Sequence, residues 1–110
     1  RIDEAIRYAK ENQVVLVLKG APTVIAVPDG RAWVNSTGNP GMAAGGMGDT
    51  LTGIIAAFIG QGLSAEEAAV TGVYLHGLAG DLLAEKMPVG YTAGDVARMI
   101  PLARKKVIEG

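Results

Sequence analysis

The residues best equipped for chemistry form one run, Asn39-Pro40-Gly41-Met42-Ala43-Ala44-Gly45-Gly46-Met47-Gly48-Asp49-Thr50. A glycine-rich turn that leads into a helix exposes several backbone N–H groups beside the positive end of the helix dipole, the environment a phosphate requires. Glycine also lets the backbone approach an anion with no Cβ in the way. Eight of the 16 glycines (Gly38, Gly41, Gly45, Gly46, Gly48, Gly53, Gly60 and Gly62) fall between positions 38 and 62, so the clustering calls for a reason other than stability. The run is not a Walker A loop, because no Lys-Ser or Lys-Thr follows it, and its glycines lack the G-x-G-x-x-G spacing of a dinucleotide fingerprint. Phosphate binding here must rely on amides and the dipole.

Asp49 is expected to open the helix at the end of that loop. As a preferred N-cap residue it would contribute about 0.5 to 2 kcal/mol. As a carboxylate beside a phosphate it could accept a proton from an attacking hydroxyl. The two roles are compatible, and Asn at 49 would separate them, since Asn caps but cannot act as a base. His76 is the one histidine. It falls mid-helix among apolar neighbours, which favours a packed, hydrogen-bonded core residue over a catalytic one. Trp33 and Tyr74 have no stacking partner nearby in sequence and read as packing, Met42 and Met47 as adaptable loop fillers. Glu66 and Glu67 read as a cap and a solvated face.

Several elements must position these residues. Ile2, Ala5, Ile6 and Ala9 recur at helical spacing, so Ile2 to Lys10 is expected as a surface helix. Val14 to Leu18 is a continuous apolar run of the kind found in a strand covered on both faces, as in a parallel sheet. Thr23 to Val27 and Arg31 to Asn35 flank Pro28-Asp29-Gly30, the signature of a tight hairpin. Thr50 to Ile59 is apolar almost all round, and a buried helix is expected there. Ser64-Ala65-Glu66-Glu67 is a capping box that opens a helix to about Lys86, ended by Met87-Pro88-Val89-Gly90. Its inward residues should be Ala68, Ala69, Val73, Leu75, His76, Ala79, Leu82 and Leu83. Thr92 and Asp95 repeat the capping logic for a last helix, which Pro101 should kink or restart.

The composition excludes several function classes. The chain has 110 residues, 49% hydrophobic and 19% charged, with a net charge of -1 and no Cys. Near-neutral charge with dispersed Lys and Arg lacks the basic footprint of a nucleic-acid binder or a membrane-surface helix. The longest apolar run, Gly53 to Gly60, is far short of the roughly 20 residues a bilayer span needs. Without cysteine there is no disulfide framework, thiolate zinc site or thiol nucleophile, and a cytoplasmic protein is expected. The chain starts at Arg1 inside an amphipathic pattern with no initiator Met, so a cut from a longer polypeptide is expected. Three strands are too few for a self-sufficient parallel sheet.

The combination of Lys19-Gly20-Ala21-Pro22-Thr23, the run Asn39 to Asp49, Tyr74-Leu75-His76-Gly77 and Gly80-Asp81 resembles the ADP/ATP-dependent NAD(P)H-hydrate dehydratases of the ribokinase-like superfamily. The resemblance covers essentially the whole chain, and Gly46-Met47-Gly48-Asp49 alone is shared with many ribokinase-like kinases. It implies the C-terminal part of a three-layer α/β/α domain (strand, hairpin, Gly-rich loop, three helices), residues 1–110 being a nucleotide-binding portion whose N-terminal half is absent. Lys19, Gly20, Ala21, Pro22 and Thr23 match the segment that contacts the adenine nucleotide; Asn39, Gly41, Met42, Ala43, Ala44, Gly45, Gly46, Met47 and Gly48 match the phosphate loop and anion hole. Asp49 matches the residue that contacts the hydrated nicotinamide and serves as base. The implied reaction is repair of hydrated NADH or NADPH: the hydrate hydroxyl is phosphorylated by ADP or ATP, with Mg2+ accompanying the nucleotide, and then lost as phosphate. Asp81 matches a family position without a physical argument from sequence. An epimerase domain fused upstream, a homo-oligomer formed through the open edge of Val14 to Leu18, and little turnover by the chain alone are further expectations. The competing readings are a kinase for a hydroxymethyl or hydroxyethyl heterocycle, and a non-catalytic nucleotide-binding or assembly module.

Overall fold

The computed structural model describes residues 1–87 and 89–109. Helix α1 (Ile2–Asn12) leads through a left-handed Gln13 into strand β1 (Leu16–Leu18), followed by β2 (Val24–Ala26) and β3 (Ala32–Val34). One tight helical turn (Pro40–Met42) precedes helices α2 (Met47–Gly60), α3 (Ala65–Lys86) and α4 (Ala93–Glu109). Among the described residues, no helix is long and apolar enough to cross a membrane.

The three strands form an antiparallel sheet in the order β1-β2-β3, with Val17, Ile25 and Trp33 in one cross-strand row. Side chains alternate across a strand, so this row faces one side of the sheet, where Ile25 packs with Leu51, Ala69 and Val73 of α2 and α3. Leu16, Leu18, Val24 and Ala26 face the other side and pack on Ala5 and Ala9 of α1. Helix α4 lies against α3 and α2 through Val96 and Ala103, both fully buried. The result is helix on sheet on helices, the layering the sequence implies.

The local signals hold at several places. Pro28-Asp29-Gly30 turns the hairpin, with Gly30 at φ 100° and Val27 N–H bonded to the Arg31 carbonyl at 3.0 Å. Ser64 and Glu67 form the expected reciprocal cap of α3, and Thr92 and Asp95 exchange the same two bonds at α4.

Three expectations change. The Val14 to Leu18 run is strand only from Leu16, and β1 is half-buried with β2 as its antiparallel partner rather than lying in a parallel sheet. Helix α2 is not buried all round: Met47, Leu51 and Phe58 are buried, whereas Ile59 is 47% exposed, because α3 and α4 cover one side of it. Helix α4 does not restart at Pro101 but continues through it. One ladder bond is lost there, while Val96 and Ala103, one on each side of the proline, stay locked in the core shared with α3. Helix α3 ends at Lys86 as expected, with Met87 extended as its C-cap, and the Pro88 part of the stop signal lies outside the described residues.

The segment leaving β3 reaches the helices over Gly77 of α3, where a Cβ would overlap Thr37 and lie 2.8 Å from its carbonyl carbon. Backbone cannot give way as a flexible side chain would. Gly77→Ala should therefore destabilise the protein by about 2 kcal/mol, the usual scale of overpacking, measured as a lower midpoint in urea with an unchanged slope.

Candidate functional site

Because β1 and β3 both run antiparallel to β2, their C-terminal ends emerge at the same edge of the sheet. The connections that follow them, 19–23 and 35–39, therefore meet there, and the start of α2 arrives at the same place. Together they enclose a cavity of about 820 Å³. Exits at the carboxyl ends of strands are where open α/β sheets bind ligands.

The 19–23 turn is fastened from two sides. Thr23 Oγ1 accepts from the Gly20 N–H at 3.3 Å and bonds the Gly20 carbonyl at 3.2 Å. The Arg1 guanidinium donates to the Pro22 carbonyl at 3.0 Å and to the Lys19 carbonyl at 3.3 Å. This leaves the Lys19 side chain to extend across the cavity, where its ammonium lies against Gly48 in the space a Cβ would need. Among the described residues the ammonium has no carboxylate partner.

Gly46 is the N-cap of α2, at φ 84°, with no side-chain cap bond. The first firm helical bond is Thr50 N–H to the Gly46 carbonyl at 3.0 Å; Met47 N–H reaches the Ala44 carbonyl only at 3.4 Å. The Gly48 and Asp49 amides have no partner among the described residues. Thus α2, 14 residues long, presents uncapped N–H groups and its positive dipole end beside an ammonium. The arrangement can hold an anion of phosphate size or larger.

The loop that leads into α2 is held by a polar cluster. Asp81 of α3 accepts from the Gly38 N–H at 3.0 Å and from the Asn39 side-chain amide at 2.8 Å. Asn39 Oδ1 in turn accepts from the Gly41 N–H at 3.0 Å and from the Tyr91 hydroxyl at 2.5 Å. Burial raises the Tyr91 phenol above its ordinary pKa, against the pull of Asn39, so it remains a protonated donor. Met42 lies directly on Gly80, where a Cβ would overlap its side chain. The Gly80-Asp81 pair thus acquires its physical meaning: one residue lets the loop touch α3, the other ties it down.

Of the residues singled out from sequence, Lys19, Gly20, Ala21, Pro22, Thr23, Asn39, Met42, Ala43, Ala44, Met47 and Gly48 line the cavity. Gly41, Gly45 and Gly46 shape the loop without lining it. Asp49 lies beside the cavity on the exposed part of the first turn of α2. With Gly46 as N-cap, Asp49 is the third helical residue rather than the cap, and the 100° step per residue turns it away from Gly48. Its carboxylate has no partner among the described residues and interacts with the positive helix start only through the dipole.

The sequence reading passed over the Asn35-Ser36-Thr37 exit, which lines the cavity together with Gly38, His76 and Gly77. The signal was available in the hairpin: a third strand antiparallel to the second must end where the first does. His76 is buried, as expected, at 8% exposed, but its Nε2 has no hydrogen-bond partner. Among the described residues there is no group of three or more His, Cys, Asp or Glu able to hold a metal ion.

The fold has close counterparts. A ribokinase-like superfamily protein from Enterococcus faecalis superposes with a TM-score of 0.83 at 36% identity, over 96% of this chain and 37% of that one. The ADP/ATP-dependent NAD(P)H-hydrate dehydratase of Bacillus subtilis, co-crystallised with ATP and Mg2+, superposes with a TM-score of 0.91 at 38% identity, over 96% of this chain and 39% of that one. The architecture is therefore ribokinase-like. Within that class, a family model described as NAD(P)H-hydrate dehydratase matches residues 1–102, and the chain belongs to that family. A bifunctional NAD(P)H-hydrate repair enzyme of Moorella thermoacetica is 51% identical over 99% of this chain and 21% of its own length. An ADP-dependent (S)-NAD(P)H-hydrate dehydratase of Xanthomonas campestris is 43% identical over 90% of this chain and 33% of its own length. The chain spans about a fifth to a third of these two relatives.

Asp81→Ala should strand the Gly38 and Asn39 donors and cost about 3 kcal/mol, since two bonds to a charged acceptor are lost and each is worth roughly 1.5 to 3 kcal/mol. Asp81→Asn, which keeps one acceptor, should recover part of this. Urea unfolding of both variants checks the order; equal stabilities would remove Asp81 from its anchoring role.

Proposed function

We propose that the protein carrying this chain restores NADH and NADPH from their hydrates in a reaction driven by ADP or ATP. The observation that carries this reading is the Lys19 ammonium lying against Gly48 at the uncapped start of α2, inside the cavity. An ammonium and a helix N-terminus repel each other unless an anion lies between them. The size of the cavity, about 820 Å³, suits a nucleotide better than a lone phosphate. Family membership and the activities for which the relatives are named support the choice of substrate.

In this proposal Lys19 and the Gly48 and Asp49 amides hold the phosphates and stabilise the charge that develops as the phosphoryl group moves. The 19–23 turn, with Gly20, Ala21, Pro22 and Thr23, contacts the rest of the nucleotide. Asn39, Met42, Ala43, Ala44 and Met47 form the loop wall, and Gly41, Gly45 and Gly46 give the loop its path. Asp49 takes the proton from the hydrate hydroxyl as its oxygen attacks the terminal phosphorus; the bond to the bridging oxygen breaks and the shortened nucleotide leaves. Loss of the new phosphate together with a neighbouring ring proton then forms the ring double bond of NADH or NADPH. With no carboxylate cage among the described residues, Mg2+ would arrive with the nucleotide phosphates and shield their charge. A cytoplasmic location, an upstream epimerase domain and self-association through the open β1 edge belong to the same proposal.

The test follows NADH absorbance when the full-length protein meets hydrated NADH with ADP or ATP. Recovery with a nucleotide is expected, and none with either rejects the dehydratase. Asp49→Asn should lower kcat about a hundredfold or more, the scale of a lost general base, with nucleotide affinity retained. Unchanged turnover would assign the carboxylate to helix stability alone.

A further inference from the structure

His76 is a buried polar side chain of α3. It lies on the inner face of α3, 8% exposed, between Leu75 and Gly77. Its Nε2 is shielded from solvent and unpartnered, a state that costs about 1 to 3 kcal/mol. The same imidazole lines the cavity with Lys19, Met47, Gly48, Thr37 and Asn39.

Its surroundings explain how it behaves when the cavity is empty. Burial first, and the Lys19 charge as a lesser cause, hold its pKa below the ordinary 6.5, while the Met47 carbonyl pulls the other way. The positive start of α2 adds to the same side as Lys19. The nearby carboxylates do not compensate: Asp81 is engaged by Gly38 and Asn39, and Asp49 lies on the exposed part of α2. Tyr91 donates its proton to Asn39.

We propose that His76 is a ligand-contacting residue, which hydrogen-bonds a phosphate oxygen of the anion held between Lys19 and the α2 N-terminus and takes up one proton from solvent as that anion arrives. The inference rests on the anion-site reading above and deepens it. An anion there neutralises Lys19 and replaces a positive neighbour with a negative one, so the imidazolium changes from disfavoured to favoured. The proton returns to solvent when the anion leaves. By linkage, a group whose pKa is higher in the bound state than in the free state makes affinity greatest at low pH, and affinity falls as pH rises through that interval. A structural core histidine would show no such coupling.

The test uses the full polypeptide, pyrophosphate as probe, and long-range proton–nitrogen NMR of the histidine rings. The His76 signals are assigned by their loss in His76→Gln, or in His76→Asn should the first variant fail to fold. With saturating pyrophosphate the ring nitrogens should move to the imidazolium pattern at a pH where the free protein shows neutral imidazole, and the Gly48 amide should shift in parallel. Calorimetry in buffers of different ionisation enthalpy should show proton uptake in the wild type that is lost in the variant. Binding by the variant should be roughly tenfold weaker, as for one hydrogen bond to a charged oxygen. If the Gly48 amide shifts while His76 titrates as before, the inference fails and the anion site stands. If neither moves, both fail.

Discussion

Two positive poles held together, with no carboxylate paired to the ammonium among the described residues, are the constraint on which the rest of the structure turns. The Lys19 ammonium and the uncapped start of α2 repel each other, and a free loop would relax by moving apart. Here they cannot, because each is fixed by separate packing. Lys19 leaves a strand sandwiched between α1 and α3, and its turn is tied to Arg1 and Thr23. The start of α2 is held by Met47 and Leu51 in the core. The fold thus keeps the proposed anion site arranged before an anion is present, which would lower the cost of binding one.

Helix α3 is the support that makes this possible. Its glycines are not weak points of the helix but places where other segments touch its backbone: Ile55 at Gly72, Thr37 at Gly77, Met42 at Gly80. Asp81 and the Tyr74 carbonyl then bond the exit of β3 and the loop beyond it, the carbonyl through Thr37 Oγ1 at 2.9 Å. One face of one helix sets the position of both the polar strand exit and the glycine loop. It also carries the one histidine into the cavity wall.

Most of what was legible in the sequence was local. The apolar spacing of α1, the Ser64 and Thr92 caps and the Pro28-Asp29-Gly30 turn each depend on residues within four positions of one another, and each formed as expected. The site itself was half legible. Lys19 to Thr23 and the glycine run were conspicuous by type, and topology brought them to one cavity. What escaped depends on distant partners. Asp81 meets Gly38 across 43 residues of sequence, and Thr37 meets Tyr74 across 37. The start of α2 moved because Gly46 takes a left-handed conformation that composition alone does not announce. Pro101 stayed inside α4 because packing on α3 outweighed one missing bond.

The central claim is that the cavity recognises phosphate charge through Lys19 and the start of α2. It is tested most directly by comparing ADP with adenosine in calorimetric titrations of the wild-type protein and Lys19→Ala. The account requires ADP binding to weaken about tenfold or more, the scale of one charge-assisted contact, while adenosine binding stays unchanged. Equal affinities for ADP in the two proteins, or equal losses for ADP and adenosine, would contradict it.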